Sequence, residues 1–336
     1  MISLFIRRAE WCIVALVLLA TFATFASLRA SAQDTWKPTR PVAFIVPNAT
    51  AGTSDRTARD IQRVLQKHRL IDVPIIIVNR PGGSGTLALN QLRASTGDPH
   101  VLLLMNGAIL AAHIAGLTTL SHTEFTPIAC MVEEYFGMNV RSESPIRSTA
   151  NLLERLRKTP DALSFGAISI TGINYLSMVT ALKLGGVDFK RLKTVTFASG
   201  SESTLALLGG HIDVVNTGLG NMVEHLKVGK LRTLAISSPR RMPGAFADVP
   251  TWRETGIEVV ASGWRGMMGA QGLTRAQSAY WENVFRQVIQ TPEWQQELKD
   301  NYWASNFENA AQTRRRLDIE YAESKVMLQE LGIIKR

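Results

Sequence analysis

The chain reads as an α/β protein with mainly parallel sheets. Three observations lead there: short, almost wholly apolar β-rich runs recur along it, helical patterns alternate with them, and glycine-bearing turns join several of the pairs. Strands become apolar on both faces when helices cover both sides of a sheet. Regular alternation of strand and helix brings such strands together in parallel.

The elements follow in order. Val42–Val46 is the first strand, and Ala58, Ile61, Val64 and Leu65 mark one face of the helix after it. Residues 73–78 form a second strand, 86–92 a helix, and Val101–Met105 a third strand. Further strands fall at 163–165, 194–197, 212–215 and Leu231–Ile236, with helical stretches between them. Two helical patterns, 277–289 and 314–331, end the chain and are expected to pack back on the first lobe. Two extended segments, 138–144 and 259–266, mark where the chain would cross between lobes. That division gives residues 33–138 and 265–336 to lobe 1 and 139–264 to lobe 2. A cleft would lie at the strand ends, where α/β sheets place their ligands.

The N-terminus resembles an export signal. Arg7 and Arg8 precede an apolar run from Trp11 to about Phe25, and Ala30-Ser31-Ala32 offers a small-x-small cleavage pattern. The rival reading is an uncleaved anchor, since the run approaches the roughly 20 residues that span a bilayer. Removing 1–32 from 336 residues leaves 336 − 32 = 304, and the net charge falls from +9 to +7, because Arg7, Arg8 and Arg29 leave together with Glu10. Export and the scatter of Lys and Arg argue against nucleic acid as a partner. Cys12 would leave with the signal, so Cys130 could form no internal disulfide; its apolar neighbours mark a buried, inert thiol.

Two turns carry the functional signal. Phe44-Ile45-Val46-Pro47-Asn48-Ala49-Thr50-Ala51-Gly52-Thr53-Ser54-Asp55 and Ile75-Ile76-Ile77-Val78-Asn79-Arg80-Pro81-Gly82-Gly83-Ser84-Gly85-Thr86 each follow a β-rich run and open a helix. Such a turn aims free N–H groups and the positive end of a helix at one point, which holds an anion.

Other chemistry has weaker support. Gly83-Ser84-Gly85-Thr86-Leu87-Ala88 formally matches a dinucleotide-binding pattern, but Asn79-Arg80-Pro81 separates it from its strand and no acidic residue ends a following strand at the right distance. There is no phosphate-binding P-loop sequence, and Ser84 fails the nucleophile-elbow pattern because Thr86 replaces its last glycine. His68, His100, His113, His122, His211 and His225 are dispersed, without metal-ligand spacing or a visible Ser–His–acid set. Arg80 is a candidate carboxylate clamp, but its extended place before Pro81 favours solvent or a turn brace. Trp264 is expected to pack at the second crossing rather than to stack on ligand.

Asn79-Arg80-Pro81-Gly82, Leu207-Leu208-Gly209-Gly210 with Ile212-Asp213, Gly229-Lys230-Leu231-Arg232, and Asp248-Val249-Pro250-Thr251 with Glu254-Thr255-Gly256 resemble the extracytoplasmic receptors of tripartite tricarboxylate transporters, the Bug family. The resemblance covers essentially the whole chain after the signal. It implies a two-lobed periplasmic-binding-protein fold of type II, with two inter-lobe crossings, closing on a carboxylate. In the first turn it implies ligand contacts at Asn48, Thr50, Ala51, Gly52, Thr53 and Ser54, with Asp55 as a helix cap. In the second turn it implies Gly83, Ser84 and Gly85. In the second lobe it points to Ser169, Thr171, Gly172, Phe197, Ser199 and Asn216.

The chain also departs from the family pattern. Pro47-Asn48 and Ala51-Gly52 replace a Pro-aromatic pair and paired glycines. Ile168, Ile170 and Ile173 stand among positions usually small and polar, Tyr175 replaces a frequent histidine, and Ala198 lacks a customary lysine. These changes favour a monocarboxylate with an apolar or aromatic body over a tricarboxylate. The expected protein is a monomeric periplasmic receptor of a Gram-negative bacterium, not an enzyme, and without metal or cofactor. Its partners would be a small organic carboxylate and a membrane permease or a sensor protein. An exported α/β hydrolase or esterase, a binding protein repurposed for signalling, and a cytoplasmic dehydrogenase with a misread N-terminus remain the alternatives.

Overall fold

The computed structural model describes residues 36–334. The architecture below belongs to Pro38–Arg336, which forms one compact unit. The expected export signal at 1–32 lies outside the described residues. Among those residues no helix is long and apolar enough to cross a membrane.

The first lobe is built on β1 (Val42–Val46), β2 (Ile75–Asn79) and β3 (Val101–Met105), with α1 (Thr53–Lys67), α2 (Thr86–Arg93) and α3 (Ala108–Ile114) following them in turn. β1 pairs in parallel with both β2 and β3. Its apolar residues are almost all buried, because α1 covers it through Ala58, Ile61, Val64 and Leu65, each removed from water. The second lobe carries α4 (Thr149–Lys158), β5 (Ser164–Ala167), α5 (Ile173–Leu184), β6 (Lys193–Thr196), α6 (Gly200–Leu208), β7 (Val214–Gly218), α7 (Val223–Lys227) and β8 (Leu231–Ile236). There β5 pairs in parallel with β6 and β7.

Two strands join the lobes. β4 (Thr126–Arg141) runs through both: Thr126 to Tyr135 face β9 (Ser262–Gly269), whereas Phe136 to Asn139 face β7 and Gly137 to Arg141 face β8. β9 brings the chain back and lies between β3 and β4. Every pair formed by β4 or β9 is antiparallel, as is that of β10 (Trp303–Glu308) with β4. The expected mainly parallel pairing is therefore corrected to a mixed sheet. The strands inside each lobe are parallel, and the antiparallel pairs come from the strands that connect the lobes and from β10.

β4 escapes a sequence reading because Glu133 and Glu134 interrupt its apolar run. Both acids have partners remote in the chain, Glu133 with Arg316 at 2.8 Å and Glu134 with Arg265 at 2.8 Å. α8 (Arg275–Gln290) and α9 (Pro292–Asp300) complete the first-lobe side. There Trp281 and Phe285 pack on Phe44 of β1. α10 (Ala310–Glu330) behaves differently from the expectation that it packs on lobe 1. Leu317 joins the core that contains Ile45 and Leu103, but Leu328 and Leu331 join the core of Met138, Phe165 and Leu182 in lobe 2. The last helix thus reaches into both cores.

Candidate ligand-binding site

The cavity lies where α1, α5 and α6 point their N-termini between the lobes. Gly52, Thr53 and Ser54 line it from lobe 1, and Gly172, Ile173, Asn174, Ser199 and Gly200 line it from lobe 2. The approach is close: a Cβ placed on Gly52 would stand 3.6 Å from the Cβ of Ser199. Gly52 begins α1 and Gly172 begins α5, and neither helix has a side-chain cap. The first N–H groups of both helices are therefore left for a ligand or water, with the positive helix ends behind them. α6 differs, since Ser199 Oγ accepts from the amide of Glu202 and caps its own helix.

Asp55 fixes the first turn. Its side chain is buried; Oδ2 accepts from the Ala51 amide at 3.0 Å and from Arg59 Nε at 2.9 Å, and Oδ1 accepts from Asn79 Nδ2 at 3.0 Å. Asn79 Nδ2 also donates to the Asn48 carbonyl, tying the turn to β2. Burial alone would raise the Asp55 carboxyl, but the bonds from Arg59, Ala51 and Asn79 outweigh it and hold the group below the ordinary aspartate value. Asp55 is thus a brace from inside the first turn of α1, while Gly52 occupies the cap position. Because Ala51 gives its amide to Asp55, that amide is not free for ligand. Thr50 and Ala51 are exposed and do not line the cavity.

The second turn does not line the cavity at the helix N-termini but an adjoining part of the cleft. Gly82, Ser84 and Gly85 line it beside Pro47, Asn48, Ile168, Phe197 and Ala198, whereas Gly83 is not among the lining residues. Its shape comes from backbone conformations that favour glycine: Gly82 has φ +128° and Gly85 φ +93°. Arg80 donates from Nε to Gln91 Oε1 at 2.8 Å on the protein surface, outside both parts of the cleft.

In lobe 2, Ser169 lines both parts of the cleft, and its hydroxyl bonds Thr171 Oγ1 at 3.0 Å and accepts from the Thr171 amide. Thr171 is buried behind that loop. Asn216 sits beneath the first turn of α5, donating from Nδ2 to the Asn174 carbonyl at 2.6 Å, and is not among the lining residues. Ile168 and Ile173 line the cavity, while Ile170 is exposed outside it.

Several wall residues escape a sequence reading. Asn106, Gly107 and Ala108 follow β3, Gly218 ends β7 and Asn221 follows it; the rule that ligands sit beyond strand C-termini would have found them. Asn221 Oδ1 accepts from Arg56 Nη2 of α1 at 2.9 Å, a hydrogen bond across the cleft. Glu134, Phe136, Trp264 and Arg265 come from the connecting strands. Trp264 is both packed and lining: it is almost fully buried, and its indole N–H donates to Glu320 of α10. Burial pushes Glu320 up to about 7, although the indole bond and Arg316 act in the opposite direction. Burial likewise pushes the Cys130 thiol up to about 12, which keeps it an unreactive thiol. Among the described residues no group of His, Cys, Asp and Glu is arranged to hold a metal.

Comparison with known proteins gives the family. Residues 57–333 match the model described as tripartite tricarboxylate transporter family receptor. A Cupriavidus necator protein described as UPF0065 protein in gbd 5′ region is 24% identical over 317 residues, covering 92% of this chain and 93% of its own. The periplasmic binding protein BugD superposes with a TM-score of 0.78 at 21% identity, over 89% of this chain and 100% of that one. MatC from Rhodopseudomonas palustris, solved with bound malate, gives a TM-score of 0.78 at 23% identity, over 87% and 99%. At these identities the two structures establish the two-lobed fold. The chain belongs to the tripartite tricarboxylate transporter receptor family, a family of solute-binding receptors rather than enzymes.

Proposed function

We propose that this protein is a periplasmic receptor that closes on a small organic monocarboxylate with an apolar or aromatic body and delivers it to the membrane permease of a tripartite transporter. Residues 33–138 with 265–336 would form one moving lobe and 139–264 the other, with ligand stabilising the closed arrangement.

One observation carries this reading: two uncapped helix N-termini from opposite lobes face a cavity whose charged lining residues, Glu134 and Arg265, neutralise each other. One carboxylate fits helix amides without a formal cation. A second or third would enter without a counter-charge, at the desolvation cost of an unpaired ion. Phe136, Ile168, Ile173 and Trp264 supply apolar wall for the rest of the ligand. The malate bound by MatC is a dicarboxylate, so the proposal separates this chain from that neighbour in ligand charge.

The test is a melting-temperature screen of aliphatic and aromatic monocarboxylates, their amides, and citrate. A ligand at 100 times its dissociation constant adds about 2.7 kcal/mol of stability. Stabilisation by a monocarboxylate and not by its amide is the expected result. Tight citrate binding with no response to aliphatic or aromatic acids would sink the proposal.

A further inference from the structure

We propose that Glu134 reads the far end of the ligand, and that the ligand carries an N–H donor there, an ammonium or a primary amide, in addition to its carboxylate. This rests on the carboxylate reading above and adds a second recognition element of opposite character to the same cavity.

The argument begins with which half of the ion pair meets the open space. Both residues line the cavity, and with side-chain exposures of 4% for Arg265 and 14% for Glu134 the carboxylate is the more open half of the pair. Arg265 cannot readily turn to meet a ligand. Nη1 donates to Glu134 Oε1 at 2.8 Å, Nη2 lies 3.4 Å from Oε2, and the guanidinium sits 4.6 Å from the centre of the Trp303 ring. Rotation would break the ion pair and the stacking together.

Glu134 also has acceptor capacity to spare. An ionised carboxylate accepts at about four lone-pair sites, and the guanidinium fork uses two of them. Gly218 ends β7, the strand paired with β4, and a Cβ there would lie 2.5 Å from Oε2, so the carboxylate takes the room that a side chain would fill. The carboxylate therefore meets the end of β7 with no side chain interposed, and it lines the same cavity as Thr217 and Asn221.

Three kinds of ligand end can be compared at this point. A carboxylate meets like charge in a poorly solvated space. A methyl group strips water from acceptors and gives nothing in return. An N–H group satisfies the free lone pairs, and a charged donor does so most strongly. The cavity thus has donors at the helix ends and an acceptor at Glu134, a polarity that orients a ligand bearing an anion at one end and N–H at the other.

Calorimetric titration of the purified protein with four acids of matched length tests this: δ-aminovalerate, glutaramate, glutarate and valerate, with their homologues one carbon shorter. The expected order places the ammonium and amide acids about tenfold or more tighter than valerate, equivalent to about 1.4 kcal/mol or more, with glutarate weakest. Glu134→Gln should abolish the ammonium advantage and improve glutarate, because Arg265 is left with unmatched charge. Glutarate or valerate binding as tightly as δ-aminovalerate in the unmodified protein overturns this inference whether or not the variant folds, and leaves the receptor reading intact. An unchanged order in folded Glu134→Gln also overturns it and makes the ion pair a structural brace of β4 and β9. If none of these acids binds, this inference falls, while the wider screen of aliphatic and aromatic acids decides the carboxylate reading separately.

Discussion

The two glycine-bearing turns of lobe 1 look alike in sequence and are built in opposite ways. The turn before α1 is held by side chains: a buried aspartate, an asparagine on the neighbouring strand and an arginine one helical turn on. The turn before α2 is held by its own backbone, through glycines at positive φ and the Thr86 hydroxyl bonded to the Gly83 carbonyl. The first presents the start of a 15-residue helix to the cavity at the helix N-termini, and the second lines only the adjoining part of the cleft. A turn that must keep donors at a fixed point gains from a charged brace that also satisfies the amides it does not offer. A turn that mainly shapes a neighbouring wall needs only a chain able to bend.

Four experiments would break or sharpen that contrast. Asp55→Ala should have the largest effect, about 3 kcal/mol lost in denaturant unfolding, because it removes the buried carboxylate that accepts from the Ala51 amide, Arg59 and Asn79 and so unties the turn. Ligand stabilisation should vanish with it. Gly82→Ala should cost about 2 kcal/mol, since a side chain at φ +128° is strained and its Cβ would stand 2.8 Å from Leu87 Cδ1. Its ligand response should survive, because the cavity at the helix N-termini is untouched. If Gly82→Ala costs more binding than Asp55→Ala, the roles assigned to the two turns are reversed.

Acid should separate the turns next. The folded Asp55 carboxyl lies below its unfolded value, so its contribution is fully present above the ordinary aspartate pKa and is lost as pH falls through the folded value. The stability deficit of Asp55→Ala should therefore shrink on acidification, whereas that of Gly82→Ala, with no titrating group in its turn, should not. A parallel pH series of urea titrations reads both. Arg80→Ala should be the smallest effect, within about 0.5 kcal/mol and without change in ligand response, since its exposed guanidinium bonds only Gln91. A lost ligand response there would restore Arg80 as a clamp.

What sequence could show follows the same division between local and remote causes. β1, β3 and β8 were legible to the residue because each is a short apolar run with turn residues beside it. The N-termini of α1 and α2 are legible as glycine turns for the same reason, whereas the loop before α5 is reached only through the family resemblance. α9 was missed despite a readable start, Thr291 as cap and Pro292 in its first turn. β10 offered little signal, since it mixes three polar with three apolar residues and most are half-buried. Glu134 and Arg265 could not be joined by inspection, because 131 positions separate them and only the pairing of β4 with β9 makes them neighbours. Asn216 shows the converse: the sequence placed it near the site, and the fold sets it under α5, supporting a wall it does not form.

The last helix sets a mechanical condition on any movement of the lobes. Leu317 is embedded on one side and Leu328 on the other, and 11 residues of helix between them span about 16 Å. A helix of that length is stiff compared with the strands that bend at a hinge, so it acts as a strut of fixed length seated in two sockets. Such a strut permits swivelling about its own axis and resists pulling apart along it. The jaws would therefore shut by a limited twist rather than a wide swing, with a stroke set by the final helix of the chain. Trimming the chain after Met327 would release one socket and lengthen that stroke, a change that small-angle scattering of the ligand-free protein would register as a larger radius of gyration.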